Sequence, residues 1–173
     1  MSLPVPAEGD VRQGGQYGSL AMTSAISAAL LGMGGWLTFL GLGRWYVELE
    51  FPPYQPPPWV FTPVWTVVLT LLAWSTWLVC RRVGHPGVGL ALGLYGAQCV
   101  LNVGWSLLFF TVERPDVAMW ELLALDVTLA LMIAAYARVS KVAAVMLVPY
   151  FAWLMMSTAI NAWIVAENPS FGA

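Results

Sequence analysis

Five long apolar runs, separated by short polar connections, punctuate the chain at roughly residues 20–42, 59–80, 87–110, 117–137 and 140–165. As α-helices rising about 1.5 Å per residue, each is long enough to cross a hydrocarbon core of about 30 Å. Lipid supplies no hydrogen-bond partners, so a spanning chain must be helical or a closed barrel. Barrel strands alternate in polarity over about 10 residues, whereas these runs are continuously apolar. The pattern predicts an all-α integral membrane protein, a bundle of five transmembrane helices forming one domain over residues 20–168. Residues 1–19 are polar and glycine-rich and lack the basic start and short apolar core of a cleaved leader. They read as a flexible tail, and 169–173 as a second, shorter one. No internal repeat supports an inverted-repeat transporter.

Composition narrows the class further. Of 173 residues, 60% are hydrophobic and 9% carry a charge, against roughly 25% charged in soluble domains. Seven basic and nine acidic side chains cannot cover a water-facing surface. A soluble globule, a nucleic-acid-binding protein and a disordered segment are excluded on this ground. The basic residues set an orientation: Arg12, Arg81, Arg82, Arg138 and Lys141 fall on the side of the N-terminus, Arg44 and Arg114 on the other. In an energised inner membrane that asymmetry predicts a cytoplasmic N-terminus. Cys80 and Cys99 fall at different depths, so no disulfide is expected. One histidine, His85, cannot assemble the three or four ligands of a zinc site, and no metal or cofactor is expected.

The longest connection reads GRWYVELEFPPYQPPP over 43–58. Its prolines fix φ and remove donors, which predicts polyproline-II-like stretches and turns rather than helix. Its aromatics, Trp45, Tyr46, Phe51 and Tyr54, either rest on lipid head groups or form a stiff lid over the mouth of the bundle.

Within the third run, Gln98, Asn102, Trp105 and Phe109 follow spacings of four, three and four and share one helical face. Gly89, Gly93 and Ala97 lie nearly opposite. Small residues let helix backbones approach closely in lipid, so that face suits a partner helix, either within the bundle or from a second copy. In the fifth run, Trp153, Ser157 and Asn161 recur every four residues, and Trp65 of the second run could face the same interior. Tryptophan is a flat wall with one N–H donor, suited to planar ligands and equally to plain packing. Buried amides such as Asn102 and Asn161 either bind something or tie helices together. In the fourth run Glu121 and Asp126 are acids at or near membrane depth, about 140° apart around the helix, so they cannot share one narrow pocket. Hydrolase, nucleotide-binding and metalloprotease motifs are absent. A cholesterol-type pattern, Leu131, Tyr136, Arg138, occurs but is weakly specific.

Several motifs in order carry a family resemblance: Trp45-Tyr46, then PPYQPPPWVFTPVW, LNVGWSLLFF, VPYFAW, Ile160-Asn161 and Glu167-Asn168. The sequence resembles the translocator protein family, also called tryptophan-rich sensory proteins or peripheral-type benzodiazepine receptors, from about residue 20 to 168. The resemblance implies a five-helix bundle, commonly a homodimer, whose pocket is closed by the first loop and binds porphyrins, benzodiazepine-type drugs and, in animals, cholesterol. It implies a ligand site of Tyr46, Trp65, Asn102, Trp105, Phe109, Glu121, Trp153 and Ser157, with Gly89, Gly93 and Ala97 as the dimer face. Trp65 and Trp153 match tryptophans that some bacterial relatives need to act on protoporphyrin, and Glu121 stands where relatives usually carry Asp. Three departures mark a bacterial-type member: Phe51-Pro52-Pro53 replaces the family's Lys-Pro-Trp, Ala162 and Ala166 replace the Tyr and Arg of the animal cholesterol motif, and Ser157 replaces a small Ala.

The expected function is therefore a membrane receptor or transporter-like protein for tetrapyrroles. Its partners would be a porphyrin or other hydrophobic small molecule, the lipid bilayer, and a second copy through the third helix. Two alternatives stand beside it: light-dependent porphyrin degradation with Trp65 and Trp153 as reactants, and a scaffold acting through the small-residue face.

Overall fold

Each apolar run becomes a helix in the computed structural model, which describes residues 8–169, with side chains from Tyr17 onward. The first, α1 (Glu8–Gly41), is followed in the connection by α2 (Arg44–Glu48), one short helical turn. The second run forms α3 (Pro58–Cys80). The third forms α4 (Val88–Ser106), which widens into a π-helical turn at Leu107–Thr111. The fourth forms α5 (Pro115–Val139), and the fifth is split into α6 (Lys141–Met146) and α7 (Val148–Glu167). Tyr17–Gly41, Pro58–Cys80, Val88–Thr111, Pro115–Val139 and Lys141–Glu167 are each long and apolar enough to span a membrane.

Two boundaries differ from the sequence reading. Backbone helix extends back to Glu8, through much of the segment expected as a flexible tail; residues 1–7 and 170–173 of the expected tails lie outside the described residues. Hydropathy marks the part of a helix that lipid can cover, not the place where its hydrogen bonds stop. The loop also begins with the helical turn of α2 before it extends. Its prolines start only at Pro52, so nothing bars helix over Arg44–Glu48, and the Trp45 indole donates back to the Gly41 carbonyl at 2.8 Å.

The spans close into a ring in the order α1, α3, α6–α7, α5, α4. On the side away from the long loop they pack tightly, around Leu72, Leu125, Leu129, Met132 and Leu147, all essentially buried. Polar side chains stitch that half together: the Ser75 hydroxyl donates to the Ala143 carbonyl at 2.9 Å, and the Thr76 and Tyr136 hydroxyls share a hydrogen bond of 2.9 Å. Ser140 turns the chain sharply and caps α6, its hydroxyl accepting from the Ala143 amide. Pro149, lacking an N–H, sits in the first turn of α7 and accounts for the break from α6 at Leu147.

On the loop side the helices diverge. A second, smaller apolar cluster of Trp45, Leu49, Phe109, Ala118, Ile160 and Ile164 fixes the loop to the bundle there. The tight half holds the frame, and the splayed half leaves room.

Candidate functional site

That room is a cavity of about 580 Å³ beneath the loop. One wall is the α1 face carrying Leu30, Leu31, Gly34, Gly35 and Thr38. Facing it, α3 contributes Phe61, Thr62, Trp65 and Leu69. The back is α4, with Asn102, Trp105 and Ser106, and α7 adds Ser157. Tyr46, Gln55 and Pro58 roof it. An adjoining recess of about 50 Å³ is lined by Phe51, Phe109, Ile160 and Asn161, among others. The surface is aromatic and aliphatic with a few amides and hydroxyls, the composition of a small-molecule pocket of the usual few hundred Å³.

The π-turn shapes the back wall. A π-helical turn holds one residue more than an α-helical one, and here both Phe109 and Phe110 point inward. Trp105 stacks on Phe109 with centroids 5.3 Å apart, and Phe110 meets Trp105 edge-on at 5.8 Å. The end of α1 approaches this turn so closely that a Cβ at Gly41 would run into the Phe110 carbonyl. Only glycine fits there.

The amides are already engaged. Asn102 donates to the Tyr150 hydroxyl at 2.8 Å, and Gln98 reaches the same oxygen at 3.2 Å. Asn161 donates to the Pro115 carbonyl at 2.9 Å and accepts from the Trp105 indole at 3.3 Å. Asn161 thus ties three helices together, the second of the two roles open to it from sequence. Asn102 ties α4 to α7, yet still borders the cavity.

The long loop is a lid. Tyr46 lies 5.0 Å from the Phe51 ring and 6.0 Å from Phe110, and burial pushes its phenol above the ordinary tyrosine range. The Asn168 side chain grips the backbone of Glu50 from the end of α7, accepting from its amide at 2.8 Å and donating to its carbonyl at 3.1 Å. The Tyr54 hydroxyl donates to the Ala159 carbonyl at 3.1 Å, and its ring packs edge-on against Trp163.

Of the residues expected at the site, Tyr46, Trp65, Asn102, Trp105 and Ser157 line the main cavity and Phe109 the recess. Trp153 stands one layer back, its ring edge-on to Phe61 at 5.5 Å and its indole N–H buried without a hydrogen-bond partner among the described residues. Glu121 lies elsewhere, its carboxylate folded against Gly104 at the α4–α5 seam, so tightly that a Cβ there would collide with it. Asp126 turns the other way, into α7, accepting from Thr158 at 2.6 Å. Tyr136, the ring of the cholesterol-type pattern, is fully buried while Leu131 is exposed, so those two residues do not share a lipid-facing surface. Gly89, Gly93 and Ala97 all face outward from the bundle. Sequence reasoning missed the α1 wall, which carries no polar or aromatic stripe, and Phe110, which a uniform helical wheel turns away. Gln55 and Phe61 sat inside the quoted PPYQPPPWVFTPVW motif and could have been singled out there.

Residues 21–166 match the sequence profile of the TspO/MBR family. The chain belongs to the TspO/MBR family. It is 30% identical over 152 residues to the tryptophan-rich protein TspO of Chlorobaculum tepidum, an alignment covering 87% of this chain and 96% of the relative. The human translocator protein is 34% identical over 127 residues, covering 72% of this chain and 75% of that protein. A tryptophan-rich sensory protein of Cereibacter sphaeroides is 32% identical over 119 residues, covering 68% and 73%. This TspO/MBR protein is thus a multi-pass integral membrane protein of translocator or sensory type.

Proposed function

We propose that this protein binds tetrapyrroles of the protoporphyrin IX type, and benzodiazepine-like hydrophobic molecules, in the cavity under the lid, with a regulatory or sensory role in porphyrin handling. The observation that carries the reading is the cavity itself: about 580 Å³, walled by Trp65, Phe61 and Trp105, with polar groups confined to a few points such as Asn102 and Ser157. Flat aromatic walls suit a planar, apolar ligand, and scattered amides and hydroxyls suit polar substituents at its edge. Trp153 supports the wall from behind through Phe61.

The test is a titration of the purified protein with protoporphyrin IX in the dark, following tryptophan emission, with Trp65→Ala and Asn102→Ala alongside and helicity checked by circular dichroism. Saturable quenching is expected in the parent. Loss of a stacking partner or a hydrogen bond, each about 1 kcal/mol, weakens affinity roughly fivefold per variant. Equal, unsaturable quenching in all three would mean the porphyrin dissolves in the micelle, and the reading would fall.

A second reading concerns assembly. A Cβ added at Gly89, Gly93 or Gly96 meets nothing within 4 Å, so this small-residue face of α4 is uncovered among the described residues. We propose that a second copy packs on it, backbone to backbone. Gly93→Leu should leave the monomer folded and abolish chemical cross-linking between copies in vesicles; unchanged cross-linking would refute it. The count of basic residues further supports a cytoplasmic N-terminus in an inner membrane.

A further inference from the structure

The cavity is closed above and open at the side. Its inner wall is deeply buried: Asn102, Ser106 and Leu69 are 6%, 7% and 3% exposed. Yet Phe39 of α1 and Leu42 just past its end, which line the same cavity, are 70% and 53% exposed. Gly35 on α1 and Pro58 and Thr62 on α3 are likewise both lining and exposed. Residues that face the interior and the exterior at once mark a mouth. It lies between the second half of α1 and the first half of α3; deeper down, Leu30 packs in the core shared with Val68 and Leu72.

The space beside Gly35 is open: a Cβ there would meet nothing within 4 Å among the described residues, whereas at its neighbour Gly34 it would touch the Ser106 hydroxyl at 3.6 Å. Gly35 precedes the end of α1 by six residues, roughly 9 Å of helix, which puts the mouth in the acyl-chain region on the lid side. The roof offers no comparable passage. Leu49 is buried, Tyr46 packs between Phe51 and Phe110, and both Asn168 and Tyr54 fasten the loop to α7.

We infer that the side mouth between α1 and α3 opens into the bilayer, so that the cavity takes amphiphiles already dissolved in lipid rather than solutes passing the lid from water. The threshold is apolar, with Phe39 and Leu42, while the hydroxyl and amide groups of Thr38, Asn102, Ser106 and Ser157 lie within. The fitting occupant has an apolar body to cross the threshold and one or two polar groups to be met inside. This rests on the reading of the cavity as a ligand site and specifies its access and ligand class.

The experiment compares the parent with Gly35→Leu, which narrows the mouth, and Asn168→Ala, which frees the lid, all in lipid nanodiscs with protoporphyrin IX as probe. Gly35→Leu should slow association and dissociation alike, by about tenfold, leaving Kd unchanged, since a barrier on the path acts on both directions. Asn168→Ala should leave both rates within about twofold of the parent. Faster exchange in Asn168→Ala, with Gly35→Leu unaffected, would overturn the inference in favour of entry past the lid. A second measurement does not involve porphyrin. In vesicles of acyl-chain-brominated phosphatidylcholine, the emission lost in Trp65→Phe, which isolates Trp65, should be quenched by lipid and protected by Gly35→Leu. If the parent fails to bind protoporphyrin at all, the tetrapyrrole reading falls and the mouth is decided on this quenching. Trp65 emission indifferent to both bromine and Gly35→Leu would refute it.

Discussion

Replacing Asn168 with alanine should unlatch the lid without unfolding the bundle. Asn168 contributes two hydrogen bonds to the Glu50 backbone, one accepted at 2.8 Å and one donated at 3.1 Å. A hydrogen bond inside a protein is worth about 0.5–1.5 kcal/mol net of the water it replaces. Glu50 is exposed, so its freed amide and carbonyl regain water at once and the low half of that range applies. The pair is then worth about 1–2 kcal/mol, and at 1.4 kcal/mol per factor of ten the lid should open roughly 5–30 times more often. Hydrogen exchange of the Glu50 amide reads this directly, because its protecting partner is the Asn168 side chain. Asn168→Asp keeps the acceptor and loses the donor, so its exchange should fall between parent and alanine variant. Far-UV circular dichroism should be the same for all three. If Glu50 exchanges equally fast in parent and Asn168→Ala, the clasp does not hold the lid, and burial of Leu49 with the Tyr54 hydrogen bond to Ala159 must account for its position instead.

Four further outcomes follow from the packing. Gly41→Ala should lower stability by about 2–3 kcal/mol, because its Cβ meets the Phe110 backbone, which cannot step aside. Gly104→Ala should cost about 1 kcal/mol or less, since only the flexible end of Glu121 must move, and Glu121→Ala should remove that cost; thermal unfolding in one detergent ranks them, and a reversed order would refute the contact geometry. Asn161→Leu strands the Trp105 indole and the Pro115 carbonyl and should destabilise by about 2 kcal/mol in the same assay; a neutral result would mean those groups find other partners. Because burial holds the Tyr46 phenol above its unfolded pKa, its contribution to stability is intact below about pH 10 and is lost as pH rises through the folded value. Tyr46→Phe should therefore lessen the alkaline loss of stability measured above about pH 10, and an unaltered alkaline limb would contradict it.

The frame was legible in the sequence because lipid imposes a simple rule on it. Only continuous apolar runs cross, and Pro58–Cys80 and Pro115–Val139 lie within two residues of where hydropathy places them. Faces were legible where chemistry alternates with helical period: Gln98 and Asn102 turn in, and Gly89, Gly93 and Ala97 turn out. What escaped has three distinct causes. Phe110 joins the cavity because the π-turn breaks the uniform angular step on which a wheel depends. Leu31, Gly35 and Thr38 line it because of where α1 leans, which tertiary packing sets and no local pattern records. Glu121, drawn to the site by its charge and by the resemblance, is held at the α4–α5 seam because Gly104 leaves it a niche there. A buried polar side chain announces that it needs a partner, not which one.

The bond between the Glu50 amide and Asn168 joins residues 118 positions apart, one before the second span and the other just past the end of the last. During synthesis, then, the loop emerges early and waits. Asn168 follows all five spans in the sequence, so this clasp on the roof closes as one of the final events of biogenesis. A chain stopped short of Asn168 would present an inserted bundle whose roof is held by Tyr54 and the Leu49 cluster alone, and the integrity of the C-terminal end is in that sense a condition for a firmly latched chamber at the far end of the first helix.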